Sequence, residues 1–321
     1  VGEARSIRDF GIERLPAENA VTPYAVWQSP TGKAGVFDQP TAASAGDYVD
    51  LTTIGTFYVT KASGWVGLKG NRVYWDRSAG NATFRKVNDR DFYVGRIAED
   101  ATSGAPVVAV TLNEDPPYDL DIARDPFLTT IVGTQALGGL SLLRRGGAHH
   151  FVISTTNEAQ KLDAISVDGF TPSVNAIIEL AFRVPNDGAG TVVDVNVGVA
   201  SGTHATDADS IAEHLFVHLD ANNTNINLQS NDGTTTVAAT DTTTDYTEGS
   251  AVANRVEVWL DMRDPADVQC YVNGALVLAS TVFNLGAAVG PLFLLAHVEK
   301  TVAADAYEFA LDWLRAHYAE Q

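Results

Sequence analysis

One cysteine and one methionine occur in 321 residues. A lone Cys270 cannot form an intrachain disulfide, and neither a Cys-rich metal site nor a disulfide scaffold can be built from it. No stretch approaches the roughly 18 to 20 uncharged apolar residues that cross a bilayer. Val1 to Phe10 has no apolar core, so no retained signal peptide is expected. Basic residues are scarce, 21 Lys+Arg against 40 Asp+Glu for a net charge of −19. The scarcity is uneven: residues 1–120 hold 12 basic and 15 acidic residues, residues 121–321 hold 9 and 25. So negative a second half repels nucleic-acid phosphate and anionic lipid, and neither nucleic acid nor membrane is expected as a partner. The near-neutral first half is the expected place of close contact with another protein. An apolar content of 45% is enough for packed cores and excludes wholesale disorder, and the length suggests two domains.

What is present is alternation of period two, the pattern of half-buried strands. In the first half it predicts strands near 56–61, 72–75, 83–87, 93–98 and 106–112, with turn residues at Gly70-Asn71, Ser78-Ala79-Gly80-Asn81 and Ser103-Gly104. Short strands at this spacing, without helical patterns between them, suggest a small antiparallel barrel or sandwich. Asp115-Pro116-Pro117 interrupts any ladder. The Gly-rich stretch to about His150 reads as a linker plus the first elements of a second domain. Longer alternating runs follow at 177–184, 192–199 and 255–261. In the run Val268 to Leu278, Asn273-Gly274 is a strong hairpin signal, because a type I′ turn needs positive φ at both central residues. The Thr-, Asp- and Gly-rich stretch 234–250 reads as one strand, 234–239, and a solvated loop. That many strands in some 170 residues is the size of a two-sheet jelly roll.

The search for chemistry returns fragments. Gly32-Lys33-Ala34 lacks the first glycine and the hydroxyl of a phosphate-binding loop. Glycoside hydrolysis needs two facing carboxylates; Glu257 with Asp261 and Glu308 with Asp312 share strand faces, but read more simply as outward charges. His214 and His218 fall opposite the core face of Leu215, Val217 and Leu219; without a third ligand they read as exposed. Asp220, Asn222 and Thr224 have the spacing of an oxygen-ligand calcium loop but fail the EF-hand pattern at Asn225 and Asn231. Asp207 and Asp209 are a second such candidate. No cofactor is therefore expected, with calcium the one left open. Cys270 reads as a buried, inert thiol. Trp65, Tyr74, Trp75, Trp259 and Trp313 are either core anchors or a sugar-stacking platform.

Residues 34–113 are more specific. Ala45-Gly46-Asp47, Gly55 to Val59, Gly70-Asn71-Arg72-Val73-Tyr74-Trp75-Asp76, Tyr93 to Ala98 and Val107 to Leu112 together resemble a family of small tailed-phage proteins. Its members were once labelled as possible recombinases and are now regarded as capsid decoration or head-fibre proteins. The second half resembles a concanavalin A-like (laminin-G-like) jelly roll through Val256 to Asp261, Tyr271-Val272-Asn273-Gly274 and Leu311 to Arg315.

Periodicity and the resemblances together give an all-β chain: a capsid-docking β-barrel or β-sandwich at 34–115 and a jelly-roll sandwich at 151–321, with an N-terminal arm at 1–33 and a linker with first elements at 116–150 outside the resemblances. The resemblances imply a virion structural protein on the outer capsid surface, bound to the major capsid protein as a homotrimer, with no catalytic residues and no enzymatic activity. Arg5, Arg8, Arg14, Tyr24 and Trp27 are the expected capsid contacts, on an arm that orders on binding or is simply a disordered terminus. The alternative is a lectin-like module that binds host or environmental glycans.

Overall fold

The computed structural model describes residues 11–115, 118–136 and 139–318. The chain divides into two units, Val1–Pro117 and Tyr118–Gln321. In the first, β1 (Ile12–Pro16), β2 (Val26–Gln28), β3 (Ala34–Val36) and β4 (Tyr48–Thr52) form an antiparallel sheet in the order β1-β4-β3-β2. Its small core holds Val21, Phe37, Val49 and Leu51, with Leu15 and Trp27 packed against it. A second sheet has the order β5-β9-β8-β6-β7, from β5 (Thr56–Thr60), β6 (Arg72–Asp76), β7 (Asn81–Thr83), β8 (Phe92–Ile97) and β9 (Val107–Leu112). A bridge between Lys61 and Ala82 brings its two outer strands together, which closes it into a small barrel. Trp65, Val73, Val94, Val108 and Val110 are buried.

Local chemistry sets the joints. The Asp76 carboxylate accepts from the backbone N–H of Ser78 and Ala79 at 2.8 and 3.0 Å and makes the β6–β7 turn. Asn113, held at φ 56°, joins the two sheets. Its amide oxygen accepts from Ala34 N–H at 2.8 Å, and its NH2 donates to the carbonyls of Ala34 and Thr53 at 2.8 and 2.7 Å.

Two expectations are corrected here. Residues 11–33 are not an arm: β1 and β2 belong to the same sheet as β3 and β4, so no domain boundary falls at 33. Of the expected arm, residues 1–10, with Arg5 and Arg8, lie outside the described residues. The strand expected at 83–87 is β7, Asn81–Thr83, because the chain turns where Asp91 collects the N–H groups of Val87 and Asn88.

The second unit is a jelly-roll sandwich of two antiparallel sheets. Its strands are β10 (Leu120–Asp121), β11 (Phe127–Val132), β12 (Ser141–Arg145), β13 (Ala148–Ile153), β14 (Glu158–Phe170), β15 (Ala176–Asn186), β16 (Val193–Ala200) and β17 (Glu213–Asp220). They continue with β18 (Asn225–Asp232), β19 (Thr236–Asp245), β20 (Val256–Asp261), β21 (Gln269–Val272), β22 (Ala275–Val277), β23 (Leu292–Ala303) and β24 (Tyr307–Tyr318). One sheet runs β12-β13-β24-β15-β20-β21-β22, with β10 also on β24; the other runs β11-β14-β23-β16-β17-β18-β19. Alternate residues of both supply one core, including Ile178, Leu180, Phe182, Val195, Val197, Leu215, Val217, Val258 and Phe309. Asn273 and Gly274 have φ of 49° and 79°, the positive pair a type I′ turn requires. Gly146 and Gly147, at 54° and 84°, turn β12 into β13 in the same way. Elements of this sandwich begin at Leu120, inside the stretch read as linker plus the first elements of a second domain. β19 runs on to Asp245, where a loop was expected after 239.

Candidate functional site

In the first unit the expected contact residues fall on different features. Arg14 stands exposed on the edge strand β1, 3.7 Å from Asp50 and over the ring of Tyr48. Tyr24 is 61% exposed and holds φ 61°, a left-handed conformation uncommon for a bulky side chain. Trp27 on β2 is half-buried and lines a cleft of about 510 Å³ with Leu15, Pro16, Trp75, Arg77 and Phe92. Exposed Tyr48 and Tyr58, on β4 and β5, had no sequence signal, because alternation alone does not say which face of a short strand is covered.

In the second unit, strand register assembles a polar row on the outer face of the seven-stranded sheet. Asp163, His297, Asn196, His218 and Asn227, from β14, β23, β16, β17 and β18, pair successively across it. The next row carries Lys161, Glu299, Asp194 and Asp220. His297 is buried between two carboxylates, Nδ1 at 2.5 Å from Asp163 and Nε2 at 2.9 Å from Glu299. Burial disfavours its charge, but the hydrogen bonds it donates to both carboxylates outweigh that and hold its pKa up at about 9. Asp163 also takes the Lys161 ammonium at 2.8 Å. Burial, above all, lifts the Asp194 carboxyl to about 6. His218 is likewise raised: burial opposes its charge, and Asp220 and Asp209 prevail. Asn196 accepts from Gln229 at 3.0 Å, and its oxygen lies 2.9 Å from His218 Nδ1. Among the described residues its buried NH2 has no hydrogen-bond partner. Of this face the sequence singles out His214, His218 and, as a calcium-ligand candidate, Asp220. Contrary to expectation both histidines are buried, His214 stacked on Phe216 at 4.6 Å and His218 held by Asn196 and Asp220.

The remaining candidates resolve into structural pairs. Asp312 takes the guanidinium groups of Arg183 and Arg255, Glu308 meets Arg145 and His150, and Asp261 takes Arg263. These carboxylates, with Glu257, are not simply outward charges; Glu257 and Asp261 are buried. Asp207 caps a short 3-10 turn and Asp209 accepts from Gln229. Asn222 is a left-handed turn residue, and Asp220 faces His218. Among the described residues no three His, Cys, Asp or Glu side chains converge as metal ligands. Burial pushes the Cys270 thiol up. Trp65 and Trp259 are buried, and Trp313 lies between the guanidinium groups of Arg255 and Arg315, each 4.8 Å from its ring.

Residues 17–112 match the family model described as phage cement protein. The match bears out the resemblance read from residues 34–113 and carries it back through β2, into residues first assigned to an arm. Among solved structures, the chain is similar to the carbohydrate recognition domain of Emp47p, with a TM-score of 0.44 and 13% identity over 62% of this chain and 94% of that one. It is also similar to the carbohydrate binding module CBM66 from Bacillus subtilis, with a TM-score of 0.35 and 10% identity over 60% and 96% of the two chains. A third is LamAcat from Zobellia galactanivorans, with a TM-score of 0.37 and 12% identity over 55% and 78%. No curated protein matches the chain.

Proposed function

We propose that this chain is a capsid decoration protein: its first unit docks on the outer surface of a phage head, on the major capsid protein, and its acidic sandwich is displayed. The observation that carries the reading is the match of residues 17–112 to the phage cement family, which falls within the first compact unit. Exposed Arg14, Tyr24, Tyr48 and Tyr58 give that unit the Tyr and Arg side chains in which contact surfaces are rich. Function is by binding, not turnover. A homotrimer at symmetric lattice positions makes modest contacts strong through multivalency. The test is to add the full chain to heads stripped of it and to reconstruct them by cryo-EM. Expected is density for the first unit on the shell, in groups of three, with the sandwich pointing outward. Heads that stay bare, or a sandwich seated on the shell, would refute the reading.

A second reading, glycan binding by the sandwich, is favoured by one observation: the Asn196 NH2, without a hydrogen-bond partner among the described residues, beside Asp194, His218 and Glu299. Buried donors seek acceptors, and a sugar hydroxyl supplies one. The full chain should then be retained on a broad glycan array and the Asn196→Asp variant should not; no retention of either ends this reading.

A further inference from the structure

We propose that the cleft at the two edges of the four-stranded sheet seats an extended, acidic segment of the capsid shell, an apolar side chain of it resting on Trp27 and Trp75. The inference rests on the docking reading above and names the part of the first unit that does the docking.

Sheet order gives the shape. In β1-β4-β3-β2 the outer strands are β1 and β2, and residues of both, Leu15 and Pro16 from one and Val26 to Gln28 from the other, line the same cleft. Outer strands present backbone groups that another strand can pair with, and an extended peptide lying along such an edge gains main-chain hydrogen bonds as well as side-chain pockets. Trp27, Trp75 and Phe92 supply an apolar floor. Tryptophan surrounded by a polar rim is the usual anchor of a peptide interface.

Charge gives the partner. A second cleft, about 590 Å³, shares Gln28, Arg77 and Phe92 with the first and adds Lys86 and Arg90. Arg77, Lys86 and Arg90 are exposed, and none of them is in an ion pair among the described residues. The acids in the same lining are Glu18, Asp89 and Asp91. Asp91 is turned inward: its two oxygens accept from the N–H groups of Arg77, Val87 and Asn88 at 3.1, 2.8 and 2.7 Å. Residues 61–96 as a whole hold eight Lys or Arg and three Asp, in a chain whose balance is the reverse. A carboxylate-bearing segment is attracted to the Arg77, Lys86 and Arg90 side of this rim.

The test compares two full-length double variants of equal charge change, Arg77→Glu with Arg90→Glu in the cleft and Arg124→Glu with Arg144→Glu on the sandwich, after thermal melts show both folded. Binding to stripped heads at low salt should fall about 30-fold or more for the cleft variant and stay within about threefold for the other. Benzoylphenylalanine at position 28 of the otherwise unchanged chain should cross-link to a shell segment in which acids outnumber bases. Equal binding by the two variants, or capture of a basic segment, overturns the cleft while leaving the docking reading intact. Failure of the unaltered chain to bind heads overturns both.

Discussion

Two lysines do the work of bound cations. Lys300 Nζ donates to the carbonyls of Ser154, Thr156 and Asp305 at 2.5, 2.9 and 3.1 Å, and Lys61 Nζ to those of Ala62, Trp65 and Ser103 at 3.0, 2.7 and 3.3 Å. Each ammonium gathers loop carbonyls that would otherwise be sealed without a donor, and burial lowers the pKa of both. Lys300→Met removes the donor and leaves the carbonyls. It should cost about 2–4 kcal/mol in urea unfolding, and an unchanged midpoint would refute the role. His297 makes the second prediction at this scale. Its folded pKa, about 9, lies above the ordinary histidine value, so its stabilisation is complete below about pH 6.5 and lost as pH rises through 9, about 3 kcal/mol in all. Asp194, lifted to about 6, gives an earlier step of the same sign, its contribution present at low pH and lost as pH rises through 6. Denaturation from pH 4 to 10 should show both declines, and His297→Gln should abolish only the upper one. Neither arrangement was legible in the sequence, because each joins residues from distant strands. Lys300 meets Ser154 across 146 positions.

At the scale of elements, legibility followed turn chemistry. The β21–β22 hairpin could be read directly, since Asn273-Gly274 admits few other conformations. The alternating runs of β15, β16 and β20 marked the sandwich core in advance because every second residue is apolar. β1 and β2 were missed: they are five and three residues long, and Pro16, Pro23 and Pro30 punctuate them as loops would. β19 was cut short because Thr and Asp from 240 to 245 mimic a loop, although β18 pairs with them as far as Asp245. The polar row of the seven-stranded sheet was invisible for a further reason. Each strand contributes one or two of its members, and only register brings them into line. Asn113 shows what such a join is worth. Asn113→Gly keeps the left-handed backbone and deletes three hydrogen bonds between the sheets of the first unit. A loss of about 2–3 kcal/mol is expected, read by hydrogen exchange as faster exchange throughout 11–115 with the sandwich unchanged. Equal protection in both proteins would show that the sheets are held together by something else.

For the whole molecule the governing quantity is the charge division. Residues 118–321 carry 26 Asp+Glu against 9 Lys+Arg, whereas residues 1–117 carry 14 against 12. A near-neutral unit can approach a surface without strong repulsion, and a strongly negative one displayed above it keeps neighbouring particles apart. On that view a decorated head is coated with the sandwich's charge, and its colloidal behaviour should follow the titration of this chain rather than that of the shell. The sequence pI is about 4.6. Decorated heads should therefore move faster toward the anode than stripped heads at pH 7, remain dispersed at low salt, and begin to associate as pH falls toward 4.6. Light scattering and electrophoretic mobility measured on both kinds of head across pH 4 to 8 decide the matter. If stripped and decorated heads associate at the same pH, the sandwich is not the outer layer, and the orientation assigned to the two units is wrong.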